Sequence, residues 1–120
     1  MAQARALTVV VAGGAVGASI RYALALQFPG IWTILVINVL GSLLLGILAA
    51  VLGPDRLWRL FLGVGVLGGF TTFSTFAVDV VQHPGSAVVY ILATLLPALL
   101  AARIGMALGD EWHSRRRAQA

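Results

Sequence analysis

The sequence predicts an all-α membrane protein of four spanning helices, with the third helix broken at mid-membrane. Three observations predict it. The 120 residues are 60% hydrophobic and only 10% charged, with a mean hydropathy of +0.99, against roughly 25% charged residues in an average soluble domain. The apolar residues fall into four stretches of about the 20 residues a bilayer requires, separated by short turns, which leaves room for one domain (1–120) and no soluble one. Within the third stretch, Gly68-Gly69-Phe70-Thr71-Thr72-Phe73-Ser74-Thr75-Phe76 is too rich in glycine and hydroxyls for a lipid-facing helix.

The first span is expected over about 7–28. Gly13 and Gly17 are spaced to let another helix approach closely. Arg21 lies well inside it, where an arginine costs about 2.5 to 3.5 kcal/mol on insertion scales. It therefore snorkels to an interface, meets a carbonyl or carboxylate, or draws anions. Ala23-Leu24-Ala25 resembles a signal-peptide cleavage site, but Arg21 just before it and the spans that follow argue against cleavage.

A Pro29-Gly30 turn leads to the second span, about 31–52, anchored by Trp32. Asn38 is its one amide, either a hydrogen-bond partner for a neighbouring helix or a donor lining a pore. Gly41, Ser42 and Gly46 continue a small-residue face. Gly53-Pro54-Asp55-Arg56 reads as a turn in which Asp55 caps the third helix, with Trp58 and Arg59 at the interface.

The third span is expected over about 57–80. Gly65 and Gly69 alone would suit a GxxxG packing face on an unbroken helix. The hydroxyls of Thr71, Thr72, Ser74 and Thr75 decide for a break near residues 68–72, leaving two half-helices of roughly 8 to 11 residues, each about 12 to 16 Å long. Broken backbone survives in hydrocarbon only where protein or a water-filled cavity surrounds it, and such places are where small-ion sites are built. Gln82-His83-Pro84-Gly85 turns the chain back, with Asp79 and His83 read as interfacial. The fourth span, about 86–108, places Tyr90, Thr94 and Ala98 in one row. Tyr90 also suits an aromatic belt, and Pro97 is expected to kink the helix. Trp112 and Arg115 to Arg117 finish the chain at the interface.

Four spans put Arg5, Arg56, Arg59 and Arg115 to Arg117 on one side, whereas the 28–31 and 82–85 turns carry no Lys or Arg. The positive-inside rule then makes both termini cytoplasmic in a multi-pass protein of the cell membrane. The chain has no cysteine, no acid pair, no nucleotide loop and no HExxH-type motif, and His83 and His113 lie in a turn and the tail. Neither an enzyme nor a nucleic-acid-binding protein is expected; the partner is the lipid bilayer. The spans offer neutral donors and acceptors instead. Carbonyls freed at a helix break suit a small hard cation such as Na⁺, and freed N–H groups suit an anion. Phe73 and Phe76, stacked one turn apart, present electropositive ring edges to a small anion.

The Gly68–Phe76 stretch resembles the signature of the Fluc (CrcB) fluoride channels. Gly13-Gly14-x-x-Gly17-Ala18-x-x-Arg21-Tyr22 and Asn38-x-x-Gly41-Ser42 resemble that family's first two spans, so the likeness covers nearly the whole chain. It implies an antiparallel dimer of dual-topology type that exports toxic fluoride passively through two pores, with one structural Na⁺ at the dimer centre. By the same resemblance the backbone carbonyls of Gly68 and Thr71 bind Na⁺. Phe73 and Phe76 form an aromatic box, and Asn38 is a pore donor. Thr75, Tyr90 and Thr94 make a polar track, and Arg21 stands at a vestibule. Ala98 departs from the pattern where a hydroxyl is usual, as does neighbouring Pro97. The arginine asymmetry is a second departure, because dual-topology members need balanced loop charges; it points to an oppositely oriented paralogue as the other half of the dimer. The alternative is a small four-span proton-coupled multidrug exporter, a class that relies on an acid within the first span, and this first span has none. A non-conducting assembly subunit, with the glycine faces used for packing alone, is the second alternative.

Overall fold

A computed structural model describes residues 1–52 and 55–120, so the Gly53-Pro54 part of the expected turn lies outside the described residues. Four stretches are long and apolar enough to cross a bilayer: Ala2–Gln27, Ile31–Val51, Arg56–Gln82 and Ala87–Gln119. We label the helices α1 (Ala2–Gln27), α2 (Ile31–Val51), α3 (residues 56–70), α4 (Phe73–Gln82) and α5 (Ala87–Gln119). The third span is thus α3 followed by α4, and it is broken.

Each boundary has a local cause. At the first turn Gly30 takes φ 124°, a conformation that side chains resist, and the Thr33 hydroxyl reaches back to the Phe28 carbonyl. Asp55 caps α3: its Oδ1 accepts from the Leu57 and Trp58 amides at 3.0 and 3.3 Å. His83 to Ser86 then turn the chain into α5.

α5 is continuous across Pro97, with helix on both sides of it. That helix also runs past residue 108 to Gln119, where a Glu111–Arg115 pair at 2.6 Å and Arg116 over the Trp112 ring support its polar end. Hydropathy ends at the membrane surface, but the helix does not. Finally, Arg59–Leu67 within α3 is π-helical, so the Gly68 amide donates to the Gly63 carbonyl five residues back.

Glycine decides how the helices pair. A methyl group built on Gly13 would sit 2.9 Å from the Gly65 Cα; one on Gly17 would lie 2.7 Å from the Phe70 amide nitrogen, and one on Gly69 would strike the Gly14 carbonyl. α1 and α3 therefore meet backbone to backbone. The same holds for α2 and α5, where methyl groups on Gly46 and Gly105 would lie 3.0 and 2.9 Å from the Met106 and Ile47 amides. Between the seams, Ile34, Ile37, Phe70, Phe76 and Tyr90 form the buried apolar core.

Candidate ion site at the helix break

The break falls on Thr71 and Thr72, which adopt extended backbone (φ −77°, ψ 154° and φ −147°, ψ 118°) between helical Phe70 and helical Phe73. The adjacent glycines are not the breakers. Gly68 and Gly69 are helical, and Gly69 belongs to the α1 seam. The GxxxG packing face and the break thus coexist, one turn apart.

Asn38 holds the break open. Its Oδ1 accepts from the Thr72 amide at 2.8 Å and its Nδ2 donates to the Thr72 carbonyl at 3.0 Å, so one side chain replaces two backbone partners. Asn38 is a helix-to-helix partner in this geometry. It also lines the cleft described below, where among the described residues its Nδ2 donates to the Thr72 carbonyl only. Thr72 then starts α4 as its cap: its Oγ1 accepts from the Thr75 amide at 3.1 Å and lies 3.2 Å from the Ser74 and Thr75 hydroxyls.

These bonds redirect two donors. In an unbroken helix the Thr72 amide would serve the Gly68 carbonyl and the Thr75 amide would serve the Thr71 carbonyl. The first goes to Asn38 and the second to the Thr72 hydroxyl. The Gly68 and Thr71 carbonyls thereby lose their helical donors at mid-membrane. By contrast, the Gly69 carbonyl accepts from Arg21 Nε at 3.2 Å, and the Leu67 carbonyl serves both the amide and the hydroxyl of Thr71.

A cleft of about 300 Å³ opens on the exposed side of the break. It gathers Asn38, Gly68, Thr71, Phe73, Phe76, Thr94 and Ala98 from four helices. Phe73 is 78% exposed while Phe76 is buried, and the two rings lie 5.9 Å apart, tilted by 43°. Thr94 is buried, yet its hydroxyl has no hydrogen-bond partner among the described residues. An unsatisfied buried hydroxyl costs about 1 to 3 kcal/mol. Among the described residues no group of three or more His, Cys, Asp or Glu could hold a metal.

The other expected site residues stand behind this cleft. Thr75 is tied into the α4 cap. Tyr90 is fully buried rather than in a lipid-facing belt: its ring packs 5.2 Å from Phe76 and edge-on to Trp32, and its hydroxyl donates to Asp79 Oδ2 at 3.3 Å. Arg21 supports the break from the α1 side. Sequence reasoning missed Thr72 as the cap, Ser42 as a cleft residue and Asp79 as the Tyr90 partner. Only Thr72 left a signal, a hydroxyl residue three positions before Thr75 at a helix start.

Comparison with known proteins shows the family. The family described as "CrcB-like protein, Camphor Resistance (CrcB)" matches residues 8–106. The chain belongs to the CrcB family. Relatives of this CrcB chain include "Fluoride-specific ion channel FluC 1" of Rhodococcus jostii (strain RHA1), 64% identical over 115 residues, covering 95% of the chain and 93% of the relative. "Fluoride-specific ion channel FluC 2" of Streptomyces avermitilis is 44% identical over 107 residues, covering 78% and 68%. "Fluoride-specific ion channel FluC" of Erythrobacter litoralis (strain HTCC2594) is 40% identical over 119 residues, covering 82% and 88%. The match brackets both seams, Asn38, the break and Thr94.

Proposed function

We propose that this chain is a fluoride channel of the cytoplasmic membrane, through which toxic fluoride leaves the cell passively. The observation that carries the reading is the 64% identity, over nearly the full length of both chains, to a protein named a fluoride-specific ion channel. The cleft supplies the chemistry. Its donors are neutral: the Phe73 ring edge, the Asn38 amide and the Thr94 hydroxyl. Conduction needs binding strong enough for entry and weak enough for exit. A fixed arginine would hold a small anion too firmly, whereas hydroxyl, amide and ring edge exchange its water in steps. Tyr90, anchored on Asp79, packs against Phe76 and fixes the buried ring of the pair.

The Gly68 and Thr71 carbonyls fit a structural Na⁺, because neutral carbonyl oxygens without donors suit a small hard cation. Bound there, Na⁺ supplies a fixed positive charge beside an anion path. Two carbonyls replace little of an ion's hydration shell, and a second copy of the same break doubles them. Exposed Gly68 and Phe73 support a dimer for another reason: freed backbone cannot face hydrocarbon and needs protein over it. Six arginines on one side support cytoplasmic termini, and with that orientation an antiparallel dimer takes an oppositely oriented paralogue as its other half.

Liposomes loaded with fluoride and carrying this chain, alone or with such a paralogue, should release fluoride to an external electrode and retain chloride. No release from either preparation would remove the channel reading. A reporter fused to the C-terminus should give signal from the cytoplasmic side only; equal signal from both sides sinks the paired arrangement.

A further inference from the structure

A second and larger cavity, about 620 Å³, opens away from the break between the end of α2 and the start of α3. Its walls are aliphatic, with Leu48, Leu52, Leu60 and Val64 prominent among them, and among the described residues its charged lining is Arg56 and Arg59. Both arginines are exposed. Among the described residues the one ion pair is Glu111 with Arg115, and neighbouring Asp55 turns its Oδ1 to the Leu57 and Trp58 amides instead. Among the described residues, then, neither arginine at the cationic end of the groove pairs with a carboxylate. That end also lies at the start of the third apolar span, where charged side chains are expected to meet the membrane surface.

A hydrated halide gains nothing from an aliphatic wall, and a soluble phosphate would leave that wall bare. A phospholipid matches both parts. We propose that this groove binds one anionic phospholipid, with its phosphate on Arg56 and Arg59 and an acyl chain along Leu48, Leu52, Leu60 and Val64. Guanidinium groups pair with phosphate in a bidentate fork, and basic side chains at the interface are drawn to anionic lipid. Leu45 and Gly63 line both this groove and the cleft at the break, so the inner end of the chain rests on the wall the two share. The bound lipid then closes the flank of the cleft against exchange with bulk lipid. This holds whether or not the cleft conducts fluoride.

The test is native mass spectrometry of the full chain released from nanodiscs containing equal phosphatidylglycerol and phosphatidylcholine. The wild type should retain phosphatidylglycerol in preference to phosphatidylcholine. The double variant R56Q/R59Q should lose roughly tenfold or more of that retention. Leu48→Trp, which fills the groove and leaves both arginines in place, should lose it too. Equal retention of the two lipids overturns the proposal, as does unchanged retention in R56Q/R59Q. Loss in R56Q/R59Q without loss in Leu48→Trp reduces the site to headgroup adsorption, and full displacement by inorganic phosphate does the same. Unchanged lipid with a shifted monomer–dimer ratio in R56Q/R59Q assigns the groove to a second copy of the chain instead.

Discussion

The two sides of the broken third span are built from different materials. On the α1 side, glycines 13, 17, 65 and 69 bring backbone against backbone, and Arg21 closes the Gly69 carbonyl. On the cleft side, the Gly68 and Thr71 carbonyls have lost their helical donors, the Thr94 hydroxyl has no partner among the described residues and Phe73 stands exposed. Among the described residues, the one buried side-chain polar atom without a partner, Thr94 Oγ1, is on the cleft side. A break in a membrane helix therefore needs a sealed back as much as an open front, because the back keeps the unpaired groups in place.

Substitutions on the two sides should separate stability from conduction. The largest effect belongs to the seam. Gly17→Ala drives a methyl group into the Val66 carbonyl and the Phe70 amide and should cost about 3 kcal/mol or more, read by thermal unfolding in detergent. Gly14→Ala, whose methyl group would have 4.0 Å to its nearest neighbour, should change stability by less than about 0.5 kcal/mol. If both variants unfold alike, the seam is not backbone contact. Phe73→Ile comes next and acts on the open face: it should abolish fluoride efflux while the dimer stays intact, since the ring is exposed within its own subunit and isoleucine keeps an apolar side chain there. Normal flux in that variant disproves the aromatic role.

Asn38→Leu should harm both properties. It strands the Thr72 amide and carbonyl at about 1 to 3 kcal/mol each, and hydrogen exchange at Thr72 and Thr75 should accelerate. Protection equal to wild type would mean the break holds without the amide. Thr94→Val should be the mildest change. It removes a hydroxyl with no partner among the described residues, so the fold should lose nothing, while efflux should fall by roughly threefold to tenfold, the equivalent of one hydrogen bond. A loss of stability instead would show that Thr94 is an ordinary core residue.

Much of this contrast is legible in the sequence, though unevenly. The four spans follow from apolar length, and the break follows from the hydroxyls after Gly69, because both signals are local. Which atoms stabilise the break is not local. Asn38 lies far from Thr72 in the chain, and nothing in either neighbourhood specifies their pairing. The glycines mislead for a related reason. Low helix propensity in water suggests that Gly68-Gly69 is where the helix fails, yet within the seam these residues are what close approach demands. The π-helical run and the Tyr90–Asp79 contact are set by packing between helices, and composition carries no trace of either.

The position of Asn38 in the chain also bears on how the protein is made. Synthesis runs from the N-terminus, so α2 leaves the ribosome before the span that contains Thr71 and Thr72. The amide is already in the bilayer when the unpaired backbone arrives. A chain with the same helices in the reverse order would expose that gap to lipid with no partner yet made, so helix order works here as a built-in assembly schedule.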